Sequence, residues 1–302
     1  MSSVASMMAL TGSLSGEATM LVEALVVGGG GSGTGFTQGV YFGGGGNGGN
    51  VTVATGFAVT LGTALSVEVG AGGGAIAPSY SNGAAGTRSL FSTLVASGAG
   101  SQPHPSNAGI TGGPNGGANT SLLSSPLITL TSVGATTTTT TYSGQGSGYT
   151  QYCTVVGGGA GGYAQSYTGG AGRRAGPGYL WAVNNTRYAG GGGSGGANND
   201  PRYYYYLGGL GGGGNGAPSV NNHGSSGTAN RGGGGGGAHG TTHNSGAGGS
   251  GVVLIWVPQT SYTNYTTSGL AVSRNNSFTN AATNTAGTLL TVTSGNGTIT
   301  FN

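Results

Sequence analysis

Few residues in this chain are equipped for acid–base or nucleophilic work. Among 302 residues there are only four carboxylates, Glu17, Glu23, Glu68 and Asp200, and four histidines. Glu23 and Glu68 fall on predicted strands, at no spacing that pairs them as the two acids of glycoside hydrolysis. All seven cations are arginines, so the lysine of a Walker A loop is missing. His239 and His243 are spaced H-x-x-x-H, which would place two imidazoles on one face of a helix. Their neighbours are Gly, Thr, Asn and Ser, and no Cys or carboxylate stands close by to complete a zinc shell. Loop hydrogen bonding is the expectation for them and for His104 and His223. Gly192-Gly193-Ser194-Gly195-Gly196 spells G-x-S-x-G without the strand–turn–helix that gives the motif its chemistry. G-x-G-x-x-G recurs through the glycine blocks as a consequence of composition. Cys153 is the single cysteine, so it forms no internal disulfide, and it reads as a small buried hydrophobe before an apolar run. The expectation is a protein that is not an enzyme and carries no metal or cofactor.

The residues suited to recognition are aromatic. Tyr179, Leu180, Trp181, Arg187 and Tyr188 form one cluster, and Arg202, Tyr203, Tyr204, Tyr205, Tyr206 and Leu207 another. Tyr and Trp offer large rigid contact area with a polar tip, and with Arg they are enriched at binding hot spots. Two roles fit both clusters equally: receptor contact on a rigid scaffold, or a cover for glycine segments that lack side chains of their own. Tyr41, Phe42, Tyr163 and Tyr167 adjoin glycine blocks more closely and read as cover.

The elements that must position these loops are set by composition. Glycine accounts for 74 of the 302 residues, about one in four against a usual share of roughly 7%. Helix bundles are excluded, since each interior Gly costs about 1 kcal/mol. Collagen is excluded because Gly does not recur at every third position with abundant Pro. Net charge is only +3, against charge-driven disorder. No apolar run is long enough to span a bilayer, and no basic residue precedes the first apolar run as in a secretory signal. The pI near 9.0 rests on scattered Arg, and only Arg231 is followed directly by two Gly, so nucleic acid is not an expected partner.

Several runs read as strands: 18–27, 51–60, 64–74 and 252–257, rich in β-formers. One or two more are expected in 119–142, which holds SLLSSPLITLTS and the threonines Thr136 to Thr141. QYCTVVGGGAGGY (Gln151 to Tyr163) loosely duplicates ALVVGGGGSGTGF (Ala24 to Phe36). The tail from Pro258 turns Thr/Asn/Ser-rich, and its two last β runs predict a hairpin about Ser294-Gly295-Asn296-Gly297. The organisation expected is an N-terminal segment 1–17, a glycine-rich domain 18–257 interrupted at 119–142, and a small β-rich module 258–302.

Glycine blocks of this kind can be flexible linkers or extended polyproline-II-type helices packed side by side. The second form has three residues per turn, a rise of about 3.1 Å and no internal hydrogen bonds. Its N–H and C=O groups must bond neighbouring helices, at a closeness that only Gly permits. Short recurring blocks separated by larger loops suit the second form, and Gly232–Gly237 would span about 19 Å. Ordering each residue costs roughly 1–2 kcal/mol of backbone entropy, while one net hydrogen bond returns about 1 kcal/mol. Apolar strands must therefore bracket the array. The fold class expected is all-β/irregular, with strands bracketing packed polyglycine-II helices joined by long loops.

Three pieces in a fixed order carry a resemblance: EALVVGGGGSGTG (Glu23–Gly35), GTALSVEVGAGGG (Gly62–Gly74) and ANRGGGGGGAHGTTHNSGAGGSGVVLIW (Ala229–Trp256). From about residue 20 to 257 the chain resembles the glycine-rich domain of bacteriophage tail-fibre proteins, a family that includes the distal adhesins of T-even-like phages. The resemblance implies a sandwich of polyglycine-II helices with receptor-reading loops at its tip. It also implies a place on the virion surface, in a tail fibre or other appendage. The implied partners are a bacterial surface receptor (an outer-membrane protein or a glycan), other fibre or tail proteins and further copies of the chain, without membrane insertion. A shaft, capsid-decoration or filament protein is the alternative. The segment Thr120–Tyr142 and the tail after Pro258 depart from the family pattern.

Overall fold

The computed structural model describes residues 18–35, 43–78, 81–100, 127–132, 135–142, 157–160, 175–195, 207–218, 222–240, 242–259 and 264–302. Its named elements are all β-strands: β1 (Thr19–Val27), β2 (Val51–Thr60), β3 (Ala64–Glu68), β4 (Ser89–Phe91), β5 (Leu94–Ala96), β6 (Leu127–Ser132), β7 (Ala135–Tyr142), β8 (Tyr179–Trp181), β9 (Thr186–Tyr188), β10 (Val252–Pro258), β11 (Tyr265–Asn280) and β12 (Thr285–Phe301). The all-β class expected from the sequence is what the described residues adopt.

One 10-stranded sheet runs β5-β4-β3-β12-β10-β1-β2-β7-β6, with β11 along the other side of β12. It curls until its β5 edge meets β2, the Thr52 hydroxyl of β2 donating to the Val95 carbonyl of β5 at 2.7 Å. A nearly closed barrel results. Its interior is filled by Met20, Val22, Ala24, Val26, Phe57, Phe91, Ile255, Leu290, Ile299 and Phe301 among others. Alternation along β1 explains the filling: Met20, Val22, Ala24 and Val26 point inward, while Leu25 and Val27 belong to a second cluster on the outer face. Both faces are buried at that end of β1, so its last residues, Ala24 to Val27, are continuously apolar.

β12 is the strand on which the curl turns. Its Gly287–Val292 stretch pairs with β10 and its Asn296–Thr300 stretch with β3. Between them the β11–β12 ladder slips register at Ser268/Leu270 and Ala271/Val272. Gly269 (φ 70) and Gly295 (φ 114) hold positive φ there, a conformation that admits Gly and strains side-chain-bearing residues. The hairpin expected about Ser294–Gly297 is therefore located differently: those residues form a bulged bend inside one long strand, and the turn joining β11 to β12 lies at 281–284. Strand pairing overrode a plausible turn signal, because both flanking runs pair with the same partner strand, β11. β12 from the C-terminal segment thus pairs along one edge with both β10 and β3 of the preceding region, and along the other with β11. β6 and β7 from the Thr-rich segment extend the sheet beyond β2.

The glycine segments leave the sheet where β1 passes into 28–34, and return where 43–50 enters β2 and 244–251 enters β10. Their bonding has a repeat of three. Gly28, Gly31 and Thr34 donate to carbonyls of Asn50, Asn47 and Gly44; Gly29 and Ser32 donate to Thr87 and Ala84; Gly30 and Gly33 donate to Gly249 and Gly246, all at 2.9–3.1 Å. Hydrogen bonds of a strand alternate between two directions; those of 28–34 are directed to three neighbouring segments in turn.

Segment 232–238 is enclosed on every side. Gly234 and Gly237 donate to Gly190 and Gly193, Gly235 and Ala238 to Gly31 and Thr34, and Gly236 to Ser225. Its carbonyls in turn accept from Gly46, Gly246 and Ala217. The enclosing segments also bond one another in a ring: 28–34 to 43–50, 43–50 to 189–195, 189–195 to 213–217, 213–217 to 222–228, 222–228 to 244–251, and 244–251 back to 28–34. A Cβ at Gly30 would overlap the Gly233 carbonyl, and one at Gly235 the Gly246 carbonyl. In this region main chain packs on main chain.

Candidate functional site

The first aromatic cluster is built on the hairpin β8–β9, where Tyr179 pairs with Tyr188 and Trp181 with Thr186. Its turn is closed by Asn185 at φ 49 and by Asn184, whose Oδ1 accepts from the Thr186 N–H at 3.2 Å. The Asn184 amide donates to the Tyr188 hydroxyl at 2.8 Å. Trp181 is 2% exposed and Tyr188 5%. Both lie against the outer face of the sheet with Leu25, Val27, Val252, Leu254 and Trp256. Their ring surface is consumed by packing, which is the covering role. Tyr179 and Arg187 are half-buried, and Leu180 is 41% exposed. The Arg187 guanidinium donates to the Gly178 carbonyl at 2.9 Å.

Two residues that sequence reasoning passed over hold this hairpin. Arg231, at the start of the enclosed glycine segment, donates to the Arg187 carbonyl at 3.0 Å, and its Cζ stands 5.6 Å from the Tyr188 ring centroid. Burial pushes the Tyr188 hydroxyl above its ordinary value, against the lowering effects of the Asn184 hydrogen bond and the Arg231 charge. Val183 is buried in the turn, and its carbonyl accepts from the Ala281 N–H at 2.8 Å. The tip of the β11–β12 hairpin is thereby fastened to the aromatic hairpin.

The second cluster, Arg202 and Tyr203 to Tyr206, lies outside the described residues, as do Tyr41, Phe42, Tyr163, Tyr167, Cys153, His104, Glu17 and Asp200. Its described flanks are informative. Gly195 donates to the Gly43 carbonyl, Gly43 to Ala238, and Ala238 to Thr34, while Ala217 donates to Gly237. These residues are the ends of their segments away from the sheet. The described residues that flank 36–42, 196–206, 219–221 and 241 lie at or near that remote end. The hairpin β8–β9 packs at the sheet end, whereas Gly195, the last described residue before the second cluster, lies at the other end of its segment.

The acid–base candidates are dispersed. Burial pushes the Glu23 carboxyl up, with a weaker opposing effect from the Asn280 amide, whose Nδ2 stands 3.4 Å from Oε1. Glu68 forms an ion pair with Arg88 at 3.1 Å, the arginine side chain being 61% exposed. Ser194 of the formal G-x-S-x-G is fully buried within its glycine segment, out of reach of any substrate. His223 and His243 come together, their ring centroids 4.8 Å apart in an edge-on arrangement. Among the described residues no group of three or more His, Cys, Asp or Glu could hold a metal ion.

No curated protein matches the chain. A family model described as a glycine-rich domain matches residues 11–257, which spans every glycine segment described above and most of the sheet. By that match, over well more than half its length, the chain belongs to the glycine-rich domain family.

Proposed function

We propose that this chain is a tail-fibre or adhesin-type protein of a bacteriophage particle, in which glycine segments packed in the polyglycine-II conformation present loops to a bacterial surface receptor. The repeat of three in the hydrogen bonding of 28–34 and the closed ring around 232–238 support that conformation. The observation that carries the functional reading is that the described residues flanking 36–42, 196–206, 219–221 and 241 lie at or near the end remote from the sheet. Loops gathered on a stiff support lose less entropy on binding than free ones. With 4% charged residues overall, recognition rests on hydrogen bonds, stacking and apolar contact. The receptor is an outer-membrane protein or a glycan.

Within this reading the receptor-contacting residues are Arg202 and Tyr203 to Tyr206, on the connection that starts at Gly195. Tyr179, Trp181, Arg187 and Tyr188 serve it as support, since two of their rings are buried on the sheet. Replacing Tyr203–Tyr206 by Ser is expected to abolish adsorption of particles carrying the chain, with particle yield and the melting temperature of the isolated chain unchanged. Undiminished adsorption overturns the assignment of this loop.

A second reading, a shaft or decoration protein that assembles laterally, is favoured by β11. It is a 16-residue edge strand whose side chains are mostly exposed, and long edges template pairing with other chains. Association of the purified chain that is lost on substituting Pro for Thr267 would favour this reading over the first.

A further inference from the structure

We propose that Arg187 and Arg231, with Leu180 and Leu210 beside them, form a binding site for a phosphate monoester carried on an apolar body. The site belongs to the hairpin β8–β9, which packs at the sheet end. It therefore goes beyond the receptor reading, which rests on the remote end. Main-chain contacts tie the two arginines into one patch. The Arg231 guanidinium donates to the Arg187 carbonyl at 3.0 Å, and the Ala189 N–H donates to the Arg231 carbonyl at 2.6 Å. The Arg187 guanidinium reaches the Gly178 carbonyl, just before β8, at 2.9 Å. Both arginines are seated on the turn 210–212. A Cβ at Gly178 would stand 3.1 Å from the Gly211 Cα, and one at Gly212 would stand 2.6 Å from the Arg231 Cβ. The Gly211 N–H fixes that turn by donating to the Pro177 carbonyl at 2.9 Å.

The positive charge gathered here has no counter-charge among the described residues. An arginine side chain stays ionised in proteins and carries five N–H donors in a planar fork. One guanidinium nitrogen of each arginine is bonded to a carbonyl, which satisfies a donor and leaves the charge in place. The Tyr188 ring, 5.6 Å from the Arg231 Cζ, attracts the cation through its quadrupole and likewise leaves the net charge unchanged. The described carboxylates are engaged with other residues, Glu23 with Asn280 and Glu68 with Arg88. Both Arg187 and Arg231 are half-buried, so their charge is screened less than on an open surface. A carboxylate has two oxygens, which a single fork fills. A phosphate monoester has three free oxygens and about two charges, enough to accept from both forks at once.

The apolar half of the ligand follows from the leucines. Leu180 is the Cα partner of Arg187, on the hairpin face opposite the buried Trp181 ring. It is 41% exposed, and Leu210, on the turn that seats both arginines, is 68% exposed. Exposed leucines flanking paired cations gain from covering by hydrocarbon, so they favour an ester over the free anion.

The test is titration calorimetry of the full chain with monobutyl phosphate and with inorganic phosphate, at low salt and about pH 7.5, where the ester is close to doubly charged. Saturable binding of the ester is expected, tighter than that of inorganic phosphate by about fourfold for each methylene buried. Arg187→Gln should weaken both ligands about tenfold or more, the scale of a hydrogen bond to a charged group. Arg187→Lys, which keeps the charge and loses the fork, should weaken them as well. Arg88→Gln makes the same change in net charge outside the patch and should bind as the wild type does. Leu210→Ser, a substitution at an exposed position, should lower ester affinity alone; it keeps the test decisive if an Arg187 variant melts early without phosphate. Vesicles containing phosphatidic acid separate two sources of the ester. Co-sedimentation that is lost in Arg187→Gln assigns a lipid headgroup, and ester binding without co-sedimentation assigns a soluble phosphate. The Tyr203–Tyr206 variant should bind the ester normally, so this site and the receptor reading fail separately. No saturable phosphate binding by the folded wild type overturns the proposal, as does an equal effect of Arg187→Gln and Arg88→Gln. Equal affinity for ester and inorganic phosphate overturns the apolar half.

Discussion

A Cβ placed at the centre of the glycine array and one placed at its margin should change stability in opposite directions. At Gly235 the methyl carbon would overlap the Gly246 carbonyl and stand 2.6 Å from the Ala247 oxygen. Both neighbours are main chain, so neither can swing aside as a side chain would. Relief requires segment 244–251 to shift, which stretches the bonds Gly33 to Gly246, Gly246 to Gly236 and Gly249 to Gly233, now 2.8–3.1 Å. Two or three weakened bonds at about 1 kcal/mol each, plus overpacking of roughly 1–3 kcal/mol, give a loss of about 3–6 kcal/mol for Gly235→Ala. At Gly74 an added Cβ meets nothing within 4 Å among the described residues, and the φ is not left-handed. There Gly→Ala acts on the unfolded chain and should stabilise by about 0.4–1 kcal/mol. Urea or thermal unfolding followed by tryptophan fluorescence is a direct assay, since Trp181 and Trp256 are both buried against the sheet. At about 2–4 °C per kcal/mol, the central variant should melt roughly 6–24 °C lower and the marginal one slightly higher. Equal tolerance of the two substitutions would refute main-chain close packing as the source of order.

Three further outcomes follow from the sheet and its cover. Trp181→Ala removes a ring that is 2% exposed and anchors β8–β9; a loss of about 3–5 kcal/mol is expected in urea titrations, with increased exchange at Ala281, whose N–H bonds the Val183 carbonyl. Gly295→Ala forces a side chain into φ 114 at the bend of β12 and should cost about 1–3 kcal/mol, measurable as a lowered melting temperature. Glu23 is held above its ordinary value mainly by burial, so the folded chain binds more protons than the unfolded one just above the usual carboxylate range, and stability falls as pH rises through that window. Glu23→Gln should therefore raise the melting temperature at pH 7 and change it little at pH 4.

The strands were legible because alternation and β-branched runs mark them whatever their partners: the readings 51–60 and 18–27 coincide with β2 and β1 to within a residue. Partner choice was less so. TLLTVTSGNGTITF reads locally as two strands about a turn, yet β10 and β3 compete for the two halves of one strand, and tertiary pairing wins over turn propensity. The aromatic residues of Tyr179–Tyr188 were legible as important without a role. Whether a ring covers a sheet or faces solvent depends on how far from the sheet its loop is anchored, and no local pattern encodes that distance. Arg231 was noticed only as a neighbour of glycine, and its stacking partner Tyr188 lies 43 positions away (231 − 188). His223 and His243 are likewise joined by the side-by-side packing of two segments.

Glycine spacing itself, in contrast, encodes depth. In the enclosed segment Gly232–Gly237 is uninterrupted, because main chain of other segments meets it on every side. Segment 244–251 reads NSGAGGSG: Ala247 and Ser250 share the outward row, both half-buried, while Gly246 and Gly249 donate to segment 232–238. At the margin, 222–228 reads NHGSSGT, with Gly only at 224 and 227, where a Cβ would strike the Gly236 and Gly233 carbonyls. Ser225, Ser226 and Thr228 are exposed. Their Cβ atoms cap the array with side chains, which prevents further glycine segments from adding at that face as they could at a bare backbone edge. The same choice relaxes the conformational entropy cost at the margin, since Ser and Thr lose less backbone freedom than Gly on ordering. The longest uninterrupted glycine run thus falls where six neighbouring segments surround it, and side-chain variety rises in the outermost segments.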